Sequence, residues 1–354
     1  IHADYPTIQD EYTQGEFPDD ILEKLRTLLD EVGDKPLIVR SSSLLEDNFG
    51  TSFAGKYDSV FCPNQGSVKQ NLRDLTQAII HVFASGLNPD ALLYRRSMGL
   101  QDYDERLAIL IQVVEGEQYG DYYFPHAAGV GFSRNLYRWS PQIRSEDGFL
   151  RLVWGMGTRA VDRVGTDYPR LVALSHPHLR PESAPKLIRQ YSQHAVDVIN
   201  LKENRFESLP IENVLDRRYP LLRYIGELDQ GGYLMPIRSL LSDEDVQNVV
   251  LTFDTLIQRT QFADRMKRIL TMLEHYYKTP VDMEFTIRLK ELQNLTPELT
   301  ISILQCRPQS HAEDEEAHIP EHLAEDTIIF STSRMVPQGK VKNIRYVLYV
   351  SPEG

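Results

Sequence analysis

Apolar residues recur at helical spacing in several stretches of the chain. The pattern predicts helices over residues 19–33, 67–86 and 89–98. Gly33 can end the first helix, because glycine readily adopts the backbone conformation that follows a helix, and the Ser67 hydroxyl can cap the second. The first two helices are therefore predicted from a boundary signal as well as from an apolar stripe.

Helical signals also occur between residues 181 and 278. The segment 181–210 is interpreted as one helix within a polar linker. The sequence Ser242-Asp-Glu-Asp245 is similar to a capping box, and the apolar residues after it predict a long helix through Ile257. A further helix is predicted over residues 263–278.

Apolar runs of strand length predict the first part of the β structure. Strands are expected at residues 36–39, 127–133 and 150–154. Residues 107–114 form a continuous apolar run in which Gln112 is the only polar member. A run of this kind predicts a buried strand.

Two more predicted strands, residues 281–287 and 300–307, are joined by a polar loop and are expected to form a hairpin. Successive side chains of a strand point to opposite faces. Strict alternation groups the following residues on one face of each strand: Asp282, Glu284 and Thr286 in the first, and Ile301, Ile303, Gln305 and Arg307 in the second. Polar side chains therefore gather at one end of the hairpin.

The length and the net charge of the chain limit the classes of binding partner that are expected. The chain has 354 residues, more than one hydrophobic core usually holds, so two or three subdomains around a cleft are expected. Its 38 basic and 51 acidic residues give a formal net charge of −13. Nucleic acids and anionic membranes attract basic faces, so neither is an expected partner, and any phosphate must be held by a local site.

Membrane and secretion signals are absent from the sequence. No apolar run approaches the roughly 20 residues that cross a bilayer, and the first residues lack the features of a signal peptide. Cys62 and Cys306 are too few for a disulfide framework in a chain of this length. A cytoplasmic location is therefore expected.

The end of the predicted hairpin carries residue types that suit magnesium and phosphate. The Glu284 carboxylate and the Gln305 amide oxygen are hard ligands for Mg²⁺, which usually keeps waters and substrate phosphate oxygens in its shell. Arg307, and Arg40 at the end of the first predicted strand, can contact phosphate oxygens through a planar, permanently charged group. From the residues alone, an ordinary exposed hairpin face and a surface salt bridge of Arg40 are the alternatives.

Two other segments are candidates for nucleotide contacts. A short loop has small residues whose backbone amides can approach an anion, or it is only a turn: Ser52, Phe53, Ala54 and Gly55. Gln112 is either a hydrogen-bonded core residue or part of the wall beside a nucleotide base. The backbone of Val113, Val114 and Glu115 can face an adenine edge.

Seven short motifs follow one another between residues 36 and 308. They are Val39-Arg-Ser-Ser-Ser-Leu-Leu-Glu-Asp47, Ser52-Phe-Ala-Gly55, Gln112-Val-Val114, Gly129-Val-Gly-Phe-Ser133, Trp154-Gly-Met-Gly157, Val281-Asp-Met-Glu-Phe285 and Leu304-Gln-Cys-Arg-Pro308. In content and order this set resembles the ATP-binding part of the phosphoenolpyruvate synthase and pyruvate phosphate dikinase family.

The resemblance implies an α+β fold of the ATP-grasp type, in which ATP lies between two lobes. We therefore expect a first lobe over residues 1–111 and a second lobe with the nucleotide and metal site over residues 112–309. Residues 310–354 are expected to form a linker and the start of a following domain.

The resemblance also implies a reaction and a role for each matched residue. ATP and Mg²⁺ bind this domain, a β-phosphoryl group passes to a histidine of a separate swivelling domain and then to pyruvate, and AMP is released. Arg40 and Arg307 correspond to catalytic phosphate contacts, Glu284 and Gln305 to magnesium ligands, and the loop 52–55 covers the phosphates. Such chemistry needs charge neutralisation and positioning more than covalent catalysis.

Two other functions stay open. The family places a glycine-rich, lysine-bearing segment before its Val-Arg-Ser-Ser motif, whereas no Gly-Gly-Lys precedes Arg40 here, which favours a non-catalytic nucleotide-sensing module. Rifamycin phosphotransferases use a similar ATP domain with another acceptor. The chain is expected to be a fragment of a longer protein, because it begins at Ile1 and has no carrier-histidine motif. Association as a homodimer stays open.

Overall fold

The computed structural model of the chain describes residues 4–45, 56–135, 137, 139–161, 167–294, 297–309 and 344–346. Its helices are α1 (Tyr5–Thr13), α2 (Asp19–Val32), α3 (Val68–Ser85), α4 (Pro89–Ser97), α5 (Thr158–Val161), α6 (Pro185–Gln190), α7 (Leu222–Ile225), α8 (Asp243–Val246), α9 (Asp254–Arg259) and α10 (Phe262–Tyr277). Its strands are β1 (Leu37–Ser42), β2 (Ser59–Cys62), β3 (Ala108–Val113), β4 (Glu117–Tyr119), β5 (Tyr122–Phe124), β6 (Ala127–Phe132), β7 (Phe149–Val153), β8 (Arg170–Ala173), β9 (Ala195–Asn200), β10 (Arg205–Pro210), β11 (Gly226–Asp229), β12 (Leu234–Pro236), β13 (Val249–Leu251), β14 (Val281–Lys290) and β15 (Glu298–Pro308).

The N-terminal part contains an antiparallel sheet in the order β2-β1-β3. The apolar stripes of α2 and α3 bury Leu29 and Leu75 in one cluster with Val39 of β1. Removing this apolar surface from water stabilises the packing of the two helices on the sheet. Alternation along β1 then leaves Ile38 and Arg40 on the strand face away from Val39.

A larger antiparallel sheet has the order β15-β14-β6-β7-β8. Helix α10 packs against β14 and β6. Met266 and Leu270 of the helix are buried in the same core cluster as Met283 and Phe285 of β14. The apolar face of β14 is thus fixed by packing, and its polar face is left for other contacts.

Two smaller sheets, in the orders β10-β9-β5-β4 and β12-β11-β13, complete the described β structure. Trp154 is completely buried in the core that includes residues from these sheets, and its indole Nε1 donates to the Tyr219 hydroxyl at 3.0 Å. Phe124 meets the Trp154 ring edge to face at 5.4 Å. The indole therefore has both an apolar surround and a hydrogen-bond partner, as a buried tryptophan requires.

The architecture confirms the predicted α+β fold class, with helices and antiparallel sheets combined. The predicted helices at residues 19–33, 67–86, 89–98 and 263–278 are confirmed as α2, α3, α4 and α10. Ser67 caps α3 as part of a capping box. The first two of these helices had both an amphipathic pattern and a local end signal.

The interpretation of residues 181–210 as a helix within polar linker was wrong in its second half. Only Pro185–Gln190 is helical, and β9 and β10 pair as a hairpin. Val196 and Val198 are fully buried on one face of β9. Their alternation is the strand signal, and it was hidden by the polar residues on both sides.

The long helix predicted from Ser242 through Ile257 was also wrong. Helix α8 ends at Val246, β13 follows, and α9 begins only at Asp254. The β-branched residues of β13 favour a strand, and antiparallel pairing with β11 stabilises this strand over a helix. Phe253 then takes a left-handed backbone conformation with φ of 57°, which separates β13 from α9.

The strand predicted at residues 107–114 exists as β3, but it is not buried. Leu110 and Val113 are 43% and 42% exposed. The reason is its place at the edge of its sheet, where β1 is its neighbour on one side. Residues 310–354, predicted to form a linker and the start of a following domain, lie outside the described residues except for residues 344–346.

No helix among the residues that the structure describes combines the length and hydropathy needed to cross a bilayer.

The two cysteines provide a test of the packing. Both are free thiols; Cys62 is 5% exposed, and burial, with a contribution from the Asp74 charge, raises its pKa to about 12. Burial also raises the pKa of Cys306, which is only half-buried. At pH 8 we expect a thiol reagent to modify Cys306 first and Cys62 much more slowly, because the thiolate is the reactive form and Cys62 is the more buried thiol. Equal rates in the native protein would contradict this packing, and equal rates in denaturant are the control.

Candidate functional site

A cavity of about 380 Å³ lies between the sheet of β1 and the sheet of β14 and β15. Its lining includes every described residue that the sequence nominated for nucleotide or metal contact: Arg40, Gln112, Val113, Val114, Glu115, Glu284, Gln305 and Arg307. These residues come from three distant parts of the chain. The loop of Ser52, Phe53, Ala54 and Gly55 lies outside the described residues, although Tyr57 just after it lines the cavity.

Arg40 reaches the cavity from the polar face of β1. Its guanidinium makes two parallel hydrogen bonds with Glu284 of β14, Nη1 to Oε2 at 2.7 Å and Nη2 to Oε1 at 2.9 Å. The two side chains are 17% and 20% exposed. A bidentate pair of this kind is shorter and stronger than a neutral hydrogen bond, so it joins the two sheets firmly across the cavity.

A β-bulge sets which side chains of β15 face the cavity. Glu284 lies opposite Gln305, but the next residue, Phe285, lies opposite Ile303, so Leu304 is an extra residue in β15. One extra residue reverses the alternation. The prediction that Ile301, Ile303, Gln305 and Arg307 share a face was therefore wrong.

The bulge places Gln305 and Arg307 on the same face as the polar residues of β14. Asp282 lies opposite Arg307, and the Arg307 Nε donates to its Oδ1 at 2.8 Å. Cross-strand neighbours of this kind touch directly. Polar residues of both strands thus lie side by side, as the sequence indicated. The bulge, rather than strict alternation along β15, brings them together.

The donor set at this position fits Mg²⁺. The Oε1 atom of Gln305 is buried and has no hydrogen-bond partner among the described residues. It lies across the strand pair from the Glu284 carboxylate. Within the described part of the chain no group of three or more His, Cys, Asp or Glu side chains forms a metal site. One carboxylate and one amide oxygen, with waters and phosphate oxygens completing the shell, is a combination that Mg²⁺ uses and Zn²⁺ does not favour.

The end of β3 forms another wall of the cavity. Gln112 is partly buried, and its Nε2 donates to the Leu304 carbonyl at 3.3 Å, so its side chain bridges β3 to the bulge. Val113 is 42% exposed at the cavity. Val114 and Glu115 continue the same wall. The segment combines an apolar surface with backbone groups, which suits a flat heteroaromatic ring.

The loop after β7 approaches the cavity from the side and is fastened by Asp197. Gly157 and Thr158 line the cavity. Asp197, 5% exposed, accepts hydrogen bonds from Thr158 Oγ1 at 2.5 Å and from Arg159 Nε at 2.8 Å. The Ser208 hydroxyl also donates to this carboxylate, so a buried group with three donors, two of them from the loop, fixes the loop position.

Sequence reasoning missed several of these contributions. Asp282 had a signal, since alternation placed it on the polar face of its strand, but it received no role. Asp58 and Thr158 line the cavity without belonging to any predicted site. Asp197 lies in a segment that was interpreted as linker. The roles of Asp58, Thr158 and Asp197 depend on contacts between distant segments. A pattern of neighbouring residues in the sequence does not reveal such contacts.

Comparison with known families agrees with this geometry. The profile of the family described as "Pyruvate phosphate dikinase, AMP/ATP-binding domain" matches residues 1–327. No curated protein matches the chain. The family match covers nearly all of the sequence and includes every element that lines the cavity. The chain therefore belongs to the pyruvate phosphate dikinase family as an AMP/ATP-binding domain.

Proposed function

We propose that this chain is the ATP- and magnesium-binding domain of a multidomain phosphotransferase of the phosphoenolpyruvate synthase or pyruvate phosphate dikinase type. The β-phosphoryl group of ATP would pass to a carrier histidine on a separate swivelling domain and then to pyruvate, the γ-phosphoryl group would pass to water or to inorganic phosphate, and AMP would be released. The observation that supports this proposal is the single cavity that collects all the described nucleotide and metal candidates.

The cavity residues have two proposed roles: the arginines contact phosphate, and the side chains with carboxylate or amide oxygen atoms contact the metal. Arg40 and Arg307 hold the phosphate oxygens and neutralise charge on the transferring group. Glu284 and Gln305 provide oxygen ligands for Mg²⁺, which supplies further charge neutralisation when it is bound. In this proposal the loop 52–55, which lies outside the described residues, is the segment that would cover the phosphates. Positioning and electrostatic stabilisation of this kind are what phosphoryl transfer requires of a protein.

The other end of the cavity takes the adenine ring. Gln112 forms part of its wall, and the backbone of Val113, Val114 and Glu115 faces the ring edge. The apolar surface of Val113 suits stacking against a base. Together with the residues proposed to hold the phosphates, this arrangement supports a nucleotide bound along the length of the cavity.

The proposed division into lobes follows the cavity. Residues 1–111 form the first lobe, residues 112–309 the second, and residues 310–354 a linker to a following domain, in the manner of an ATP-grasp fold. Two separate apolar clusters, one around β1 and one around β14, support this division. Both cysteines are free, which suits a cytoplasmic protein.

The test is AMP formation by the full-length protein that contains this chain. We expect steady release of AMP from ATP in the presence of Mg²⁺, pyruvate and inorganic phosphate, and its loss in an Arg307→Ala variant, because the phosphate contact is removed. Binding of ATP without AMP release under these conditions would contradict the enzymatic proposal and favour a sensing module. AMP release that depends on a rifamycin instead of pyruvate would identify an antibiotic phosphotransferase.

A further inference from the structure

A second cavity, of about 490 Å³, is lined by residues at the open ends of the β9–β10 hairpin and by residues of α8 and β13. None of the described residues that line it also lines the nucleotide cavity, which contains Arg40 and Glu284. We propose that this second cavity binds an apolar amino acid, and that its occupation strengthens nucleotide binding. The coupling to the nucleotide, though not the site itself, rests on the proposed function.

Most of the buried lining of the second cavity is apolar. Leu215, Val249 and Val250 are 3%, 5% and 2% exposed. Two polar lining residues, Ser192 and Gln193, are also buried, but their side chains already form hydrogen bonds within the protein. Sites for small molecules are typically concave and largely apolar, with volumes of about 300–1,000 Å³. The buried part of this cavity therefore suits an apolar side chain.

Two charged groups lie in the solvent-exposed part of the lining. Arg189 is 42% exposed, and its Nη1 pairs with Asp229 at 3.1 Å. Its other guanidinium nitrogens have no partner among the described residues. Glu212 is exposed, and in the described part of the chain its carboxylate makes no ion pair. One positive and one negative group are thus available to a ligand, and a guanidinium suits a carboxylate while a carboxylate attracts an ammonium group.

The ligand class follows from these three features. A simple carboxylic acid would contact Arg189 but would leave the negative charge of Glu212 opposing it. A simple amine would contact Glu212 but would leave Arg189 unused. A polar side chain would place polar atoms against the apolar lining without hydrogen-bond partners, which is costly. An amino acid with an apolar side chain satisfies both charges and buries its hydrocarbon part.

The lining of the second cavity is tied to the loop after β7, which lines the nucleotide cavity. The Gln193 amide accepts from the Trp154 backbone nitrogen and donates to the Trp154 carbonyl, each at 2.8 Å. The His194 backbone nitrogen donates to the Asp167 carboxylate, which pairs with Arg159 at 2.6 Å. Residues 193 and 194 therefore hold the two ends of the loop from one side.

Both cavities depend on the same position of this loop. A ligand in the second cavity contacts residues 193 and 194 and stabilises the segment that holds the loop. A nucleotide contacts Gly157 and Thr158 on the other side of the loop. Two ligands that favour one arrangement of the protein bind with positive coupling, and the effect on the two affinities is equal.

The test is calorimetry of phenylalanine binding to the full chain, with and without Mg²⁺ and a β,γ-imido ATP analogue. We expect the nucleotide to tighten phenylalanine binding about fivefold. Arg189→Gln should weaken phenylalanine binding about tenfold and leave phenylalaninamide, which lacks the carboxylate, unchanged. Glu212→Gln should weaken it about threefold to fivefold and leave N-acetylphenylalanine, which lacks the ammonium group, unchanged.

Arg134→Gln is a matched control for Arg189→Gln. Arg134 is 41% exposed and pairs with Glu274 at 2.6 Å, and it lines neither cavity. The same chemical change at this pair is expected to leave phenylalanine affinity and the effect of the nucleotide as in wild type.

Each contrary outcome contradicts a different part of the proposal. Absence of binding by both phenylalanine and leucine would overturn the site. So would wild-type binding of phenylalaninamide and N-acetylphenylalanine as tight as that of phenylalanine, a comparison that needs no variant to fold. Phenylalanine binding that is indifferent to a bound nucleotide would overturn only the coupling. Phenylalanine binding by a chain that binds no nucleotide would overturn the proposed function and leave the site standing.

Discussion

Replacing Arg307 with alanine is expected to remove most of the stabilisation that Mg²⁺ and ATP give this chain against thermal unfolding. A ligand that binds only the native state, at 100 times its dissociation constant, stabilises it by about 2.7 kcal/mol. Charge-assisted hydrogen bonds contribute roughly 1.5–3 kcal/mol each, so loss of the guanidinium should weaken binding about a hundredfold. At the same ligand concentration the stabilisation then falls to about 0.4 kcal/mol.

The measurement is the unfolding temperature of each variant with and without Mg²⁺ and ATP, so that any change in intrinsic stability cancels. Glu284→Ala is expected to lose the magnesium-dependent part of the shift. Arg134→Ala is the control, since Arg134 forms a comparable ion pair outside the cavity. Equal ligand-induced shifts in wild type, Arg307→Ala and Glu284→Ala would contradict the assignment of these residues to the site.

Replacing Gly155 with alanine is expected to lower the free energy of unfolding by roughly 2–6 kcal/mol. Gly155 has a φ of +85°, which costs an L-residue about 1–3 kcal/mol. A Cβ there would also lie 2.3 Å from Val196 Cγ2 and 2.7 Å from the Asp197 carbonyl oxygen. Overpacking against β9 adds about 1–3 kcal/mol. Because the loop continues to Thr158 at the cavity, nucleotide affinity should fall as well.

Gly157, two residues further along the same motif, gives a matched comparison. A Cβ at Gly157 would lie 3.5 Å from Ala128 Cβ, an ordinary contact, and its φ is not in the left-handed region. Denaturant unfolding should therefore show a change of less than about 1 kcal/mol for Gly157→Ala. Similar losses in both variants would mean that the loop requires flexibility in general rather than a particular conformation at Gly155.

The sequence predicted the structure best where interactions between residues close together in the chain determine it. Helices α2 and α3 have an amphipathic stripe together with an end signal, Gly33 in one case and the Ser67 capping box in the other, and both were predicted correctly. The hairpin of β14 and β15 was predicted from alternation and a polar loop. The strand lengths and the antiparallel pairing of this hairpin depend on residues that are close together in the sequence.

The parts that could not be predicted depend on contacts between distant residues. Arg40 and Glu284 are 244 residues apart, and nothing in either segment indicates that they form a bidentate pair. Residues of β13 were interpreted as helix because their helical spacing is compatible with both structures, and only pairing with β11 distinguishes them. The described candidate residues all line one cavity, but their mutual contacts were not predicted.

The bulge at Leu304 means that β15 holds one more residue than its pairing with β14 requires. In a chain from which this one residue had been deleted, Gln305 would follow Ile303 directly, and the pairs of Phe285 with Ile303 and of Glu284 with Gln305 would follow one another without a break. Its Gln and Arg would keep the face that they have here, because regular alternation places neighbouring residues on opposite faces. An alignment gap at this one position is therefore compatible with an unchanged orientation of the cavity residues.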